Sequence, residues 1–142
     1  MFKKILVALD HSKADAVLLG HVADLARLMN SEILLLHVST GWKAQWQKDL
    51  NLTDSEEMRE DRAYLRTVED ELRKEGFKVG ARHASGKPAD EILAAMRQEQ
   101  CDLIAMASHG HRLLRDIIYG ATITKVRHAA EVPIFLVRGM SK

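Results

Sequence analysis

Apolar residues in this chain follow two periods that alternate along its length. Ile5-Leu6-Val7-Ala8-Leu9 is a short unbroken apolar run, the pattern of a strand covered on both faces. Val17, Leu18, Val22, Leu25, Ala26, Leu28 and Met29 then recur at helical spacing. Ser12 is placed to cap that helix, Asp15 sits in its first turn, and Asn30-Ser31 ends it. Ile33 to Val38 reads as a second buried strand. Thr40 to Leu52 is irregular and carries Gly41, Trp42 and Trp46. Thr53 and Glu56 form a capping-box signature before a long charged helix with a narrow apolar stripe, Met58, Tyr64, Leu65, Val68 and Leu72. Gly76 closes it. Lys78 to Ala84 is a weaker strand, and the alternation of Val79, Ala81 and His83 suits a sheet edge. Pro88 stands at the first position of a further helix, with Asp90 and Glu91 in its first turn and Ile92, Leu93, Ala95 and Met96 on its apolar face. Leu103 to Met106 is the fourth strand. Leu113 to Ala130 holds the last helix, interrupted or started anew at Gly120. Pro133 lacks an N–H and precedes the final strand, Ile134 to Val137.

Strands alternating with helices predict an α/β fold, a doubly wound parallel sheet with helices on both faces and right-handed crossovers. No linker, repeat or low-complexity segment interrupts the pattern, so residues 1–142 are expected to form a single domain. Ligands of such folds sit beyond the carboxyl ends of the strands, where the strand order reverses.

Composition narrows the class. The chain is 46% hydrophobic and 29% charged, with a net charge of +1 and both signs interspersed. That balance gives no electrostatic reason to expect a nucleic-acid partner. No segment reaches the roughly 18 apolar residues of a membrane span, and the N-terminal run is too short for a secretory signal. A cytoplasmic, soluble protein with no membrane partner is expected. Cys101 is the only cysteine, so no intramolecular disulfide forms. At a strand entrance it reads as a small apolar residue.

The chemistry concentrates near the C-terminal end. Met106-Ala107-Ser108-His109-Gly110-His111-Arg112 follows the fourth strand, and Gly120 follows further on. A strand, a glycine turn, a basic loop and a glycine at a helix start would make a cradle for a phosphate. His109 and His111 lack a third ligand at recognisable spacing, so no metal site is expected. Ser108 and His109 are adjacent on a turn, where side chains seldom face each other, and no Walker-type lysine motif is present. No catalytic residues are assigned, and turnover is expected to be absent or slow.

Five pieces, taken in order, carry a resemblance. They are Lys4-Ile5-Leu6-Val7-Ala8-Leu9-Asp10-His11-Ser12, Leu35-Leu36-His37-Val38, Gly86-Lys87-Pro88-Ala89-Asp90-Glu91-Ile92, Ser108-His109-Gly110 with Gly120, and Lys125-Val126-Arg127-His128 with Val132-Pro133-Ile134. Together they resemble the universal stress protein family over essentially the whole chain. The resemblance implies a three-layer, five-stranded parallel sheet ordered 3-2-1-4-5, with a ligand crevice between the ends of strands 1 and 4. Some members of that family bind ATP there through Gly-x-x-Gly-x9-Gly-Ser/Thr. This chain departs twice, with Ala107 at the first glycine and Ala121 where the hydroxyl is expected. Thr122 is one step later, about 100° round a helix.

The resemblance therefore implies a stress-response module that binds ATP, with Mg²⁺, or another adenine nucleotide. Gly110, Gly120 and neighbouring backbone amides would hold phosphates, His111 and Arg112 would add charge, and Met106, Ala107, Ala121 and Thr122 belong to the same expected nucleotide-binding set. Ala8, Leu9, Asp10 and Val38 would shape the base and ribose end. For Asp10 the competing role is a helix-capping carboxylate, and for Val38 it is ordinary core. The apolar final strand, Ile134 to Val137, falls at a sheet edge that invites pairing with a second copy, and the family commonly dimerises there. The alternative is a nucleotide-free, dimeric interaction module acting through that strand or through the Thr40–Leu52 segment.

Overall fold

The computed structural model describes residues 1–39, 56–108 and 113–139. Strands β1 (Lys4–Leu9), β2 (Glu32–Ser39), β3 (Val79–Ser85), β4 (Leu103–Ser108) and β5 (Ile134–Arg138) form one parallel sheet in the order β3-β2-β1-β4-β5. Helices α1 (Ala14–Met29), α2 (Glu56–Lys74), α3 (Pro88–Gln98) and α4 (Leu113–Ala129) precede β2, β3, β4 and β5 in turn. The fold class and the strand order are those expected. The weak strand β3 and the last strand β5 are the two edges.

Period-two alternation within the buried strands feeds two separate cores. Ile5, Val7, Leu9, Ile33, Leu35, Leu103 and Ala105 point to one face and meet Leu18, Val22 and Ala26 of α1 and Leu65, Val68 and Leu72 of α2. Leu6, Ala8, Leu34, Leu36, Ile104 and Met106 point to the other and meet Ile92, Leu93 and Met96 of α3 and Ile123 and Val126 of α4. Burial on both faces is why these strands read as unbroken apolar runs. Cys101 is buried beside this second core at the mouth of β4. Burial pushes its thiol up to about 11, against the pull of Lys4, so it stays protonated at neutral pH.

Three local expectations need correction. Leu28 follows the helical spacing but is 80% exposed, because it falls off the face that α1 turns to the sheet. Ser12 is not the N-cap of α1. That position belongs to Lys13 and has no side-chain cap, and the Ser12 hydroxyl accepts from the Ala14 N–H at 3.3 Å and donates to Asp10. Finally, α4 runs without a break through Gly120, so this glycine lies inside the helix and not at its start. The helix ends are otherwise as read. Asn30 stops α1 in the left-handed region at φ 57° and Gly76 follows α2 at φ 98°. Pro88 opens α3. Trp42, Trp46 and Thr53 lie outside the described residues.

The register of the sheet locates the crevice. β1 and β2 stay paired from Lys4↔Glu32 to Leu9↔His37. β1 and β4 pair only from Ile5↔Leu103 to Val7↔Ala105. β4 goes on with β5 to Ser108↔Arg138. The sheet therefore parts between β1 and β4 just past Val7, at the point where the strand order reverses.

Candidate functional site

Successive residues of the parting strands fall on alternate faces. Ala8 and Met106 are buried on the α3–α4 face, and Val38, half-buried, packs against the same core. These three form an apolar wall at the carboxyl edge. Leu9 and Ala107 point to the α1–α2 face and are buried there. Ala107 is paired with Val137 within β4, and its φ is not positive, so an alanine fits where the family motif has glycine. Asp10 follows β1 at the rim of the gap.

On α4, Gly120 and Ala121 are exposed and Thr122 is buried. The amide of Gly120 belongs to the helix interior, where N–H groups are spent on the preceding turn. Amides left over for an anion are those of the first turn, at Leu113. A Cβ built on Gly120 meets nothing within 4 Å among the described residues. Glycine in a helix interior costs about 1 kcal/mol relative to alanine, and packing among the described residues supplies no reason for it. Gly110, His111 and Arg112 lie outside the described residues, as does His109.

The turn that carries Asp10 is strained and firmly held. His11 has φ 61°, a left-handed conformation uncommon for a residue with a Cβ. The carboxylate of Asp15 reaches back from α1 and accepts from the N–H groups of Asp10 and His11 at 3.1 and 2.9 Å. It also accepts from the Tyr64 hydroxyl at 2.7 Å. The His11 ring stacks on Tyr64 with centroids 4.0 Å apart, and its Nδ1 lies 2.9 Å from Asp61 Oδ1. Burial raises the Asp15 carboxyl to about 6, opposed by the Tyr64 hydrogen bond and reinforced by the charge of Asp10. Tyr64 is shifted up as well, by burial and then by its bond to Asp15.

Asp61 joins this turn to β2. It lies on α2, buried, and its Oδ2 is 3.1 Å from Nε2 of His37 and 3.3 Å from the Ser39 hydroxyl. Nδ1 of His37 is 2.9 Å from the carbonyl oxygen of Leu9, and the Ser39 hydroxyl is 2.7 Å from His83 Nε2 on β3. Burial alone would raise the Asp61 carboxyl. The hydrogen bond from His11 and the charge and hydrogen bond of His37 outweigh it and hold the group below its ordinary value. Among the described residues no cluster of three or more His, Cys, Asp or Glu has metal-holding geometry.

Of the residues expected at the crevice, the fold brings Ala8, Asp10, Val38 and Met106 to one edge of the sheet. Sequence reasoning missed the network of Asp15, His37, Ser39, Asp61, Tyr64 and His83. Asp61 could have been found. With Met58, Leu65, Val68 and Leu72 it completes the buried stripe of α2, and a carboxylate in such a stripe needs a partner. An open groove of about 950 Å³ lies elsewhere, between α1 and α2, with Val17, Gly20, Asp24, Tyr64 and Glu71 among its lining residues. No helix among the described residues is long and apolar enough to cross a membrane.

Comparison with known proteins places this architecture. The model of the universal stress protein family matches residues 1–138, and the chain belongs to that family. It is 27% identical over 155 residues to universal stress protein MJ0577 of Methanocaldococcus jannaschii, covering 97% of this chain and 96% of that one. The solved structure of MJ0577 superposes with a TM-score of 0.82 at 28% identity, covering 100% of this chain and 99% of that chain. Universal stress protein YxiE of Bacillus subtilis is 27% identical over 148 residues, covering 97% of this chain and all of its own. A universal stress protein from Archaeoglobus fulgidus, solved in complex with dAMP, shares the fold at a TM-score of 0.70 and 20% identity, with 96% of this chain and 98% of that chain covered.

Proposed function

We propose that this chain binds an adenine nucleotide reversibly, ATP with Mg²⁺, in the crevice where β1 and β4 part. One observation carries the reading. Pairing between β1 and β4 stops at Val7↔Ala105, where the strand order reverses, and leaves Ala8, Met106 and Val38 as an apolar wall beside Asp10. A flat base fits such a wall, and the Asp10 carboxylate at the rim is suited to ribose hydroxyls or to the accompanying cation. Gly110, His111 and Arg112 would meet the phosphates with the first-turn amides of α4. The exposed Gly120 and Ala121 would let a phosphate approach the helix surface, and the buried Thr122 would support that turn from within. The dAMP complex of a protein with the same fold supports the ligand class.

The output in this reading is a change of shape or partner, not a chemical product. The protein is a single domain working in the cytoplasm, and two copies pair through β5, whose Leu136 is 45% exposed on an edge strand.

Calorimetric titration of nucleotide-stripped protein with ATP and Mg²⁺ tests this. Saturable binding with one site per chain is expected, weakened by Gly110→Val and strengthened by Ala121→Ser. Absence of heat and of thermal stabilisation at millimolar ATP overturns it. The second reading, a nucleotide-free dimeric interaction module, then stands. It is favoured by exposed Leu136 and by the alanines at positions 107 and 121.

A further inference from the structure

His37 faces an acceptor on each side of its ring. Nδ1 is 2.9 Å from the Leu9 carbonyl, which can only accept, and Nε2 is 3.1 Å from Asp61 Oδ2. The residue is 7% exposed, so water does not substitute for either partner. A neutral imidazole has one N–H and would leave one of these contacts without a proton. The missing proton has two homes, the imidazole or the carboxyl of Asp61. Asp61 also lies within reach of His11 Nδ1 at 2.9 Å and the Ser39 hydroxyl at 3.3 Å, two donors that favour its ionised form. With His37 doubly protonated every contact has a donor and an acceptor. His83 Nε2–H donates to Ser39, Ser39 donates to Asp61, His11 donates to Asp61, and His37 donates to both Asp61 and Leu9.

We propose that Asp61 and His37 form a buried carboxylate–imidazolium pair, and that through His11 this pair positions the turn carrying Asp10 for the nucleotide. Only the last clause rests on the nucleotide reading. The pair ties three pieces of chain together: the end of β1 and its strained turn, β2 through His37 and Ser39, and α2 through Asp61. The titratable groups facing it are His11 and Asp10 from the turn, Asp15 from α1, Tyr64 from α2 and His83 from β3, whose ring centroid is 5.9 Å from that of His37. Loss of the second proton turns one His37 nitrogen into an acceptor against an acceptor. The contact then breaks at Leu9 or at Asp61, and the turn loses one of its supports.

The test is ¹⁵N NMR of the histidine rings in the full-length chain at pH 7.5, where a free imidazole with a pKa of roughly 6.5 is mostly neutral. Both His37 nitrogens are expected to carry protons in the wild type and to revert to a single-proton tautomer in Asp61→Asn. In the same variant the amide resonances of Asp10 and His11 are expected to move, and ATP affinity to fall about tenfold, the usual worth of a hydrogen bond to a charged group. A single-proton His37 ring in the wild type overturns the proposal, and that measurement needs no variant to fold. Unmoved Asp10 and His11 resonances in a folded Asp61→Asn protein overturn the positioning role. If wild-type protein binds no nucleotide, the functional reading fails, while the ring and turn measurements still decide the pair.

Discussion

The two faces of the sheet end in opposite ways at its carboxyl edge. On the α1–α2 side the edge is polar: Asp15 and Tyr64 are joined through His11 to Asp61, His37 and Ser39 by hydrogen bonds and an ion pair of 2.7–3.3 Å. On the α3–α4 side it is apolar, built from Ala8, Val38 and Met106. The polar edge spends its donors and acceptors on itself, and what it gains is a fixed backbone with His11 in a left-handed conformation. The apolar edge makes few specific demands and leaves a gap. Polar residues near a cleft are commonly taken for its working parts. Here the polar residues bond to one another, and the edge proposed to meet the nucleotide is the apolar one.

The comparison breaks most visibly at Asp61. Asp61→Ala leaves the buried His37 facing empty space and is expected to cost about 3 to 5 kcal/mol in urea unfolding. Met106→Ala, at a site with no exposure, is expected to cost about 2 to 5 kcal/mol through its cavity, with no change in the pH dependence of stability. A pH profile altered by Met106→Ala would mean that the two edges are coupled.

Asp15 sharpens the contrast through pH. Its carboxyl is raised from the ordinary 3.8 to about 6, so the folded chain holds that proton more tightly than the unfolded chain does. The resulting stabilisation is fully present below pH 3.8 and is lost as pH rises through about 6. The size is about 3 kcal/mol at 1.36 kcal/mol per unit. Asp15→Asn is expected to flatten the stability profile between those limits, whatever it does to stability overall. Denaturant midpoints across the range decide it, and a profile equally steep in the variant assigns the titration to another group.

Two glycines give a smaller and cleaner test. Gly20 in α1 and Gly120 in α4 are both exposed, and a Cβ at either meets nothing within 4 Å among the described residues. Alanine at each is expected to raise stability by about 0.5 to 1 kcal/mol. Only Gly120→Ala should weaken ATP binding. Equal affinities in both variants would remove Gly120 from the site. Leu136→Glu is expected to leave fold stability within about 0.5 kcal/mol yet to convert the dimer proposed to form through β5 to a monomer in sedimentation.

The fold was legible because burial on both faces writes itself into the strands as Ile5–Leu9, Ile33–Val38 and Leu103–Met106, and helical spacing marks what lies between. The placement of Ala8, Asp10 and Val38 at the carboxyl edge was legible because the ends of buried strands are predictable places. Gly120 was misplaced because a glycine in a helical pattern reads as a break, and only the backbone shows α4 continuing through it. The His37–Asp61 pair was not visible because contacts between residues on different elements leave no periodic trace. Asp61 resembled its many charged neighbours on α2, and His37 resembled a strand residue with nothing to do.

Cys101 gives this molecule a built-in clock. Cys101 is 5% exposed, its thiol is protonated at neutral pH, and its N–H bonds the Met96 carbonyl at 2.9 Å where α3 hands over to β4. A thiol reagent must therefore wait for that junction to open. Because the chain has no second cysteine, the rate of alkylation counts openings of the α3–β4 half alone. Read beside amide exchange at His37, it would time the two halves of one sheet separately.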